Sequence, residues 1–245
     1  MRRTLIPGVA AALIIAASPM ESQSNNSPEG QAAFNAIVLT PAGALPQIVR
    51  AQRMIDSGAR GGVALRFGRY KFATSPDVFS IVGGTGFVNL MRRFQLGATI
   101  GHRSCGTCEG LTMGSVDLST TLFHKAASED IGGDTDVGFL VSAGMGKADS
   151  SNVSARSLTL SVPLAVSLEQ VENSMLTLFL APAAAYGSFD NNGVTLGSWR
   201  PMIGAGLGYT FGFGLGVHAA AHKVIIDDSP THLGLAMSWQ FGGKH

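Results

Sequence analysis

Residues Ser157 to Glu169 (SLTLSVPLAVSLE) alternate without a break. Leu158, Leu160, Val162, Leu164, Val166 and Leu168 fall on one parity. Ser157, Thr159, Ser161, Pro163, Ala165, Ser167 and Glu169 fall on the other. Successive side chains of a strand point to opposite faces, whereas a helix returns to a face every three or four residues. The segment is therefore a strand with one apolar face and one face of small or polar groups. The pattern recurs around Phe94–Gly101, Val137–Gly146, Ile203–Phe211 and His232–Phe241. It leads us to expect ten strands, at 61–72, 78–88, 93–103, 111–124, 136–147, 155–168, 174–188, 199–211, 213–225 and 231–241. The run at 78–88 is the least regular, so eight and twelve strands stay open.

Strand length separates the architectures. Strands of soluble sandwiches favour about 5–6 residues, whereas a tilted strand needs about 9–11 to cross a bilayer. The runs here are of the second kind. Charged residues make up 13% of the chain, against about 25% in an average soluble domain. Pro201–Val217 carries no charge and invites reading as a membrane helix, but Gly204, Gly206, Gly208, Gly212, Gly214 and Gly216 lie within it. Each interior glycine costs a helix about 1 kcal/mol relative to alanine, and the spacing suits a strand with one small-residue face. The connections near 89–92, 169–173 and 211–213 are short. Those near 103–110, 148–154, 188–198 and 226–230 are richer in Asp, Asn, Ser, Gly and Pro, and 125–135 is long on the short-turn side.

The amino terminus has the anatomy of a cleavable signal peptide: basic Arg2 and Arg3, an uncharged run from Leu5 to Ser18, and Ser22-Gln23-Ser24 as a small-x-small site. That run is too short for a spanning helix of about 20 residues; an uncleaved anchor is the alternative. Residues 1–24 are read as the signal and 25–59 as a periplasmic segment or a plug. Ile48, Val49, Gln52 and Ile55 could line a short helix ending at Gly58. Without the first 24 residues the chain holds 15 Lys+Arg and 15 Asp+Glu, since Arg2, Arg3 and Glu21 leave the totals of 17 and 16. A balanced chain has no electrostatic reason to seek nucleic acid.

Residues 60–241 resemble the monomeric outer-membrane β-barrel proteins of Gram-negative envelopes. The last strand, HLGLAMSWQF, resembles the carboxy-terminal strand which those proteins present to the barrel-assembly machinery. The tail 242–245 after Phe241 departs from that pattern. The resemblance implies an all-β, transmembrane, antiparallel up-and-down barrel in the bacterial outer membrane, monomeric and in contact with lipid. Tyr70, Tyr186, Trp199, Tyr209, Phe211, Phe213, Trp239 and Phe241 lie near strand ends, where interfacial anchors belong.

Arg66, Arg93, Arg103, Asp117, Glu169, His218, His222 and His232 fall on the inward parity as candidate lumen residues, either pairing with one another or forming a selectivity ring. His218 and His222 lie about 13 Å apart along one strand, too far to share a metal ion, and no metal or other cofactor is expected. Cys105 and Cys108 form a candidate loop disulfide in an oxidising compartment. No catalytic motif selects a nucleophile or base, so no catalytic residues are assigned. Three functional readings follow: a non-enzymatic small pore, passive transporter or structural envelope protein; a surface binder acting through loops 103–110, 148–154 and 188–198; and a lipid-modifying barrel enzyme. Small solutes are the expected partners of the first.

Overall fold

The computed structural model describes residues 27–49, 56, 58–72, 77–91, 93–106, 108–126, 133–149, 152–170, 173–191, 193–226 and 229–242. The signal reading of 1–24, with Gln52 and Ile55, lies outside them. Among these residues the first elements are two helices, α1 (Pro28–Val38) and α2 (Pro41–Ala44). Eleven strand segments follow: β1 (Gly61–Lys71), β2 (Val78–Asn89), β3 (Phe94–Ser104), β4 (Leu111–Lys125), β5 (Asp134–Ala148), β6 (Ser154–Ser161), β7 (Leu164–Glu169), β8 (Met175–Asn191), β9 (Val194–Thr210), β10 (Leu215–Val224) and β11 (His232–Phe241).

Consecutive strands pair antiparallel, β6 and β7 excepted, and β1 pairs with β11 from Gly61↔Phe241 to Arg69↔Leu233. That seam closes the sheet. The expected strand at 155–168 is interrupted at Val162-Pro163, because proline has no N–H to give the ladder. Val162 N–H donates to the Pro182 carbonyl instead, at 3.0 Å, and Gly138 N–H to the Pro163 carbonyl, at 2.8 Å. Both halves pair with β5 and β8, so β6 and β7 cross as one strand and the barrel has ten.

The expected loop at 188–198 is instead a tight hairpin: β8 and β9 stay paired through Ser188↔Gly197 and Asp190↔Thr195. The Asp190 carboxylate accepts from Gly193 N–H at 3.2 Å and from the Thr195 hydroxyl at 2.9 Å. Gly193 takes the positive φ of 84° that this turn requires and that other residues resist.

The chain alternates between two rims. The turn rim carries both barrel ends and the connections 90–93, 126–133, 170–174 and 211–214. The loop rim carries 72–77, 105–110, 149–153, 192–193 and 225–231. The outer wall is apolar, with Leu65, Val82, Ile100, Leu118, Leu180, Leu207 and Leu235 all exposed. Two aromatic levels bound it. Tyr186 meets Trp199 toward the loop rim, with ring centroids 5.7 Å apart. Tyr209, Phe211, Phe213 and Trp239 form a chain of ring contacts at the turn rim, and exposed Phe241 lies on the same rim. Tyr186 pairs with Trp199 and Leu176 with Tyr209, ten residues apart on β8. At about 3.3 Å per residue that is ~33 Å along the strand, or ~25 Å once tilted by about 40°, the height of a bilayer's apolar band.

Tyr70 is the exception to the girdle reading. It is 2% exposed and points inward, stacked between Phe79 at 4.9 Å and His232 at 4.2 Å. Parity decides this, since Tyr70 shares its face with Arg66 and Gly68.

Leu180 faces lipid midway between the two aromatic levels. Leu180→Arg is expected to destabilise the barrel by about 2–4 kcal/mol, the cost of a cation at the bilayer midplane. Urea unfolding of the protein reconstituted in vesicles measures it.

Candidate functional site

The candidate site is the lumen, and residues 27–49 occupy much of it. Helix α1 begins at Ser27, whose Oγ accepts from Gly30 N–H at 3.0 Å, with Pro28 in the first turn and Glu29 behind it. At 11 residues α1 is shorter than the ~12–15 needed for marginal stability alone. Its order comes from the barrel, where Ala33, Ala36 and Ile37 are fully buried. It packs against β8, β9 and β6, while α2 packs against β5, β4, β10 and β3. Of the expected helix from Ile48 to Gly58, Ile48 and Val49 are not helical and Asp56 is. Val49 packs on Ala165, Phe179, Ala181 and Ala220.

The wall makes room for this backbone at particular glycines. A Cβ at Gly146 would overlap the Leu39 carbonyl oxygen, and one at Gly187 the Ala33 carbonyl oxygen. One at Gly234 would overlap the Pro46 ring. Around the segment, toward the loop rim, the lumen is packed like the core of a soluble protein: Phe34, Ile37, Val38 and Leu45 meet Tyr70, Ile81, Leu111, Met113 and Val224. Burying each large side chain contributes roughly 1.5–3 kcal/mol.

Polar wall groups hold the segment's backbone. The Arg66 guanidinium donates to the Pro46 carbonyl through Nε at 3.0 Å and to the Leu45 carbonyl through Nη2 at 3.4 Å. Its Nη1 reaches the hydroxyls of Thr85 and Thr99 at 3.3 and 3.4 Å. His222 Nε2 donates to the Gly43 carbonyl at 2.5 Å, which sets its tautomer. Arg200 Nε reaches the Gly30 carbonyl at 3.4 Å, and the Ser198 hydroxyl donates to the Glu29 carbonyl at 3.3 Å. The Thr40 hydroxyl donates to the Ile37 carbonyl at 2.9 Å, so Ser157 is the donor in their 2.7 Å contact.

The remaining lumen candidates are dispersed. Asp117 accepts from Ser142 at 2.5 Å and Ser115 at 3.5 Å. Arg103 lies over the Phe79 ring at 5.2 Å. Arg93 sits exposed in the 90–93 turn and lines the mouth of a cavity of about 180 Å³, which Arg66, Asp117, Asp136 and His222 also line. Glu169 is exposed at the turn-rim end of β7. His218 Nε2 contacts the Ser238 hydroxyl at 2.8 Å. His222 and His232 are cross-strand partners, stacked at 4.8 Å, and neither ring nitrogen of His232 has a hydrogen-bond partner among the described residues. Cys105 and Cys108 are joined in a disulfide in the loop between β3 and β4.

The residues missed by sequence reasoning are Arg200, Thr40 and Asp136, the last 2.6 Å from His124 near the turn rim. Among the described residues His124 contacts no serine, threonine or cysteine hydrogen-bond partner, and His218–Ser238 is a separate buried pair on β10 and β11. No three His, Cys, Asp or Glu side chains among the described residues are placed to hold a metal ion.

No family model matches the chain, and no curated protein does. Solved structures with a similar outline include an autotransporter β domain, a porin and the outer membrane enzyme PagL. The β domain of the Bordetella autotransporter BrkA is 11% identical, covers 75% of this chain and 100% of its own, and superposes with a TM-score of 0.44. The KdgM porin is 11% identical, with coverage of 74% and 99% and a TM-score of 0.35. The amino-terminal β-barrel domain of Pseudomonas aeruginosa OprF is 11% identical, with coverage of 75% and 99% and a TM-score of 0.31. The closed ten-strand antiparallel sheet with its apolar outer wall is itself the architecture of a transmembrane β-barrel.

The contact between Thr40 and Ser157 gives a direct check on the seating of the segment. In a Thr40→Cys, Ser157→Cys double variant the two thiols are expected to oxidise to a disulfide. Mass spectrometry of tryptic fragments would then find the fragment ending at Arg50 linked to the one that follows Arg156.

Proposed function

We propose that this protein is a non-enzymatic outer-membrane barrel serving as a gated passage for small solutes, shut in the state described above by its own residues 27–49. The supporting observation is the way this segment is seated. It crosses the loop-rim half of the lumen, completes an apolar core there, and leaves a cavity beside it lined partly by the turn rim's residues. The turn rim, which holds both barrel ends, faces the periplasm in this reading, and the loop rim faces outward. Residues 1–24 act as the cleaved export signal, and strand β11 is the segment recognised by the assembly machinery. The barrel works as a monomer within lipid.

The surface-binding reading loses one of its three loops, since 188–198 is a tight hairpin. The enzymatic reading has two separate histidine pairs to draw on, His124–Asp136 and His218–Ser238.

Planar-bilayer recording tests the passage. The full-length protein is expected to show rare, brief openings. A Gly146→Val, Gly187→Val double variant, whose new side chains collide with the Leu39 and Ala33 carbonyls, is expected to conduct persistently while keeping the heat-dependent gel mobility of a folded barrel. A folded double variant that carries no current overturns the reading. Lipid analysis covers the enzyme: expression is expected to leave lipid A and phospholipids unchanged, and a change abolished by His124→Ala or His218→Ala would put an enzyme in its place.

A further inference from the structure

The segment inside the barrel is nearly uncharged: from Ser27 to Val49 its one ionisable side chain is Glu29. The wall against it is cationic. Arg66 and Arg200 point inward from β1 and β9, and Arg103 from β3. Arg66 and Arg200 share an unusual arrangement, for neither has a carboxylate within ion-pair distance among the described residues. The protein partners of Arg66 are the carbonyls of Leu45 and Pro46 and two threonine hydroxyls. Arg200 is 2% exposed, its Nε reaches the Gly30 carbonyl, and its Nη2 has no partner among the described residues.

The inward carboxylates sit elsewhere. Asp134, Asp136 and Glu169 lie at the turn-rim ends of β5 and β7, and Asp136 is matched by His124. Asp117 is the one inward carboxylate near mid-depth among the described residues; it accepts from Ser142 and Ser115, and it attracts Arg66 from beyond ion-pair distance in the cavity that both line.

A buried guanidinium binds an anionic oxygen roughly twice as strongly as a neutral one, and its planar fork fits carboxylate, phosphate and sulfate. Backbone carbonyls are its weaker partners. When residues 27–49 leave, Arg66 keeps its two threonine hydroxyls, and the donors of Arg66 and Arg200 that met the segment's carbonyls stand free in the open lumen. A constriction lined by one sign of charge selects the opposite ion.

We infer that the opened passage is anion-selective, with Arg66 and Arg200 as its selectivity residues and small solutes bearing carboxylate, phosphate or sulfate groups as the class it carries. The inference rests on the gated-passage reading and adds the identity of the cargo. The segment's backbone carbonyls stand in the closed state where solute oxygens stand in the open one.

The test uses the full-length chain with Gly146→Val and Gly187→Val, recorded in planar bilayers under a potassium chloride gradient. The reversal potential is expected to report several-fold preference for chloride over potassium. Inorganic phosphate added to the chloride solution is expected to reduce the chloride current by competing at the same guanidinium groups. Adding Arg66→Gln and Arg200→Gln is expected to abolish both effects, and Arg66→Lys with Arg200→Lys to retain the chloride preference while weakening the phosphate effect. Heat-dependent gel mobility verifies folding for each variant, and each arginine replaced singly serves if the double replacement does not fold. A conducting barrel that prefers potassium, or whose chloride preference survives loss of both arginines, overturns the inference and leaves the gated passage standing. A folded, loosened barrel without current overturns the passage itself.

Discussion

Everything in this molecule depends on the seam between β1 and β11. In lipid a backbone N–H or C=O without an internal partner costs several kcal/mol, and a sheet escapes that cost only by closing. The seam runs from Gly61↔Phe241 to Arg69↔Leu233 and is continued by Arg60 N–H donating to the Phe241 carbonyl at 2.9 Å. Once it is closed, the two faces of each strand have separate tasks. The outer face meets acyl chains and needs only to be apolar. The inner face must satisfy its own polar groups in a confined space, and there the sequence is specific.

The barrel resolves that confinement with a second polypeptide layer. Residues 27–49 bring backbone carbonyls to Arg66, His222 and Arg200 and apolar side chains to the wall of Tyr70, Ile81 and Met113. The relative sizes matter. A neutral hydrogen bond contributes about 1 kcal/mol net and one to a charged group about 1.5–3, while burial of Phe34, Ile37, Val38 and Leu45 contributes a comparable or larger amount per side chain. Packing therefore supplies most of the adhesion, and the hydrogen bonds set the register of the segment against the wall.

The strands were legible because parity is a local property. Leu158 through Leu168 alternate in the sequence and alternate in exposure. The same parity would have placed Tyr70 inward, but its position near a strand end suggested an anchor. The hairpin at 188–198 was obscured by its polar residues, although Asp190, Asn191, Asn192 and Gly193 are also the composition of a tight turn. Helix α1 carries a start signal in Ser27-Pro28-Glu29, yet AAFNAIV shows no polar stripe because the helix is buried nearly all round. The contacts of Arg200 with Gly30 and of His222 with His232 depend on register and on long-range closure, which no local pattern encodes.

The close approach of Gly146 to Leu39 and of Gly187 to Ala33 also bears on how the segment is held. These contacts lie on β5 and β8, far around the circumference from the seam, and the segment that makes them is continuous with β1. Because the segment runs on into β1 it stays tethered to the barrel whether seated or released, and its local concentration at the lumen never falls to that of a free ligand.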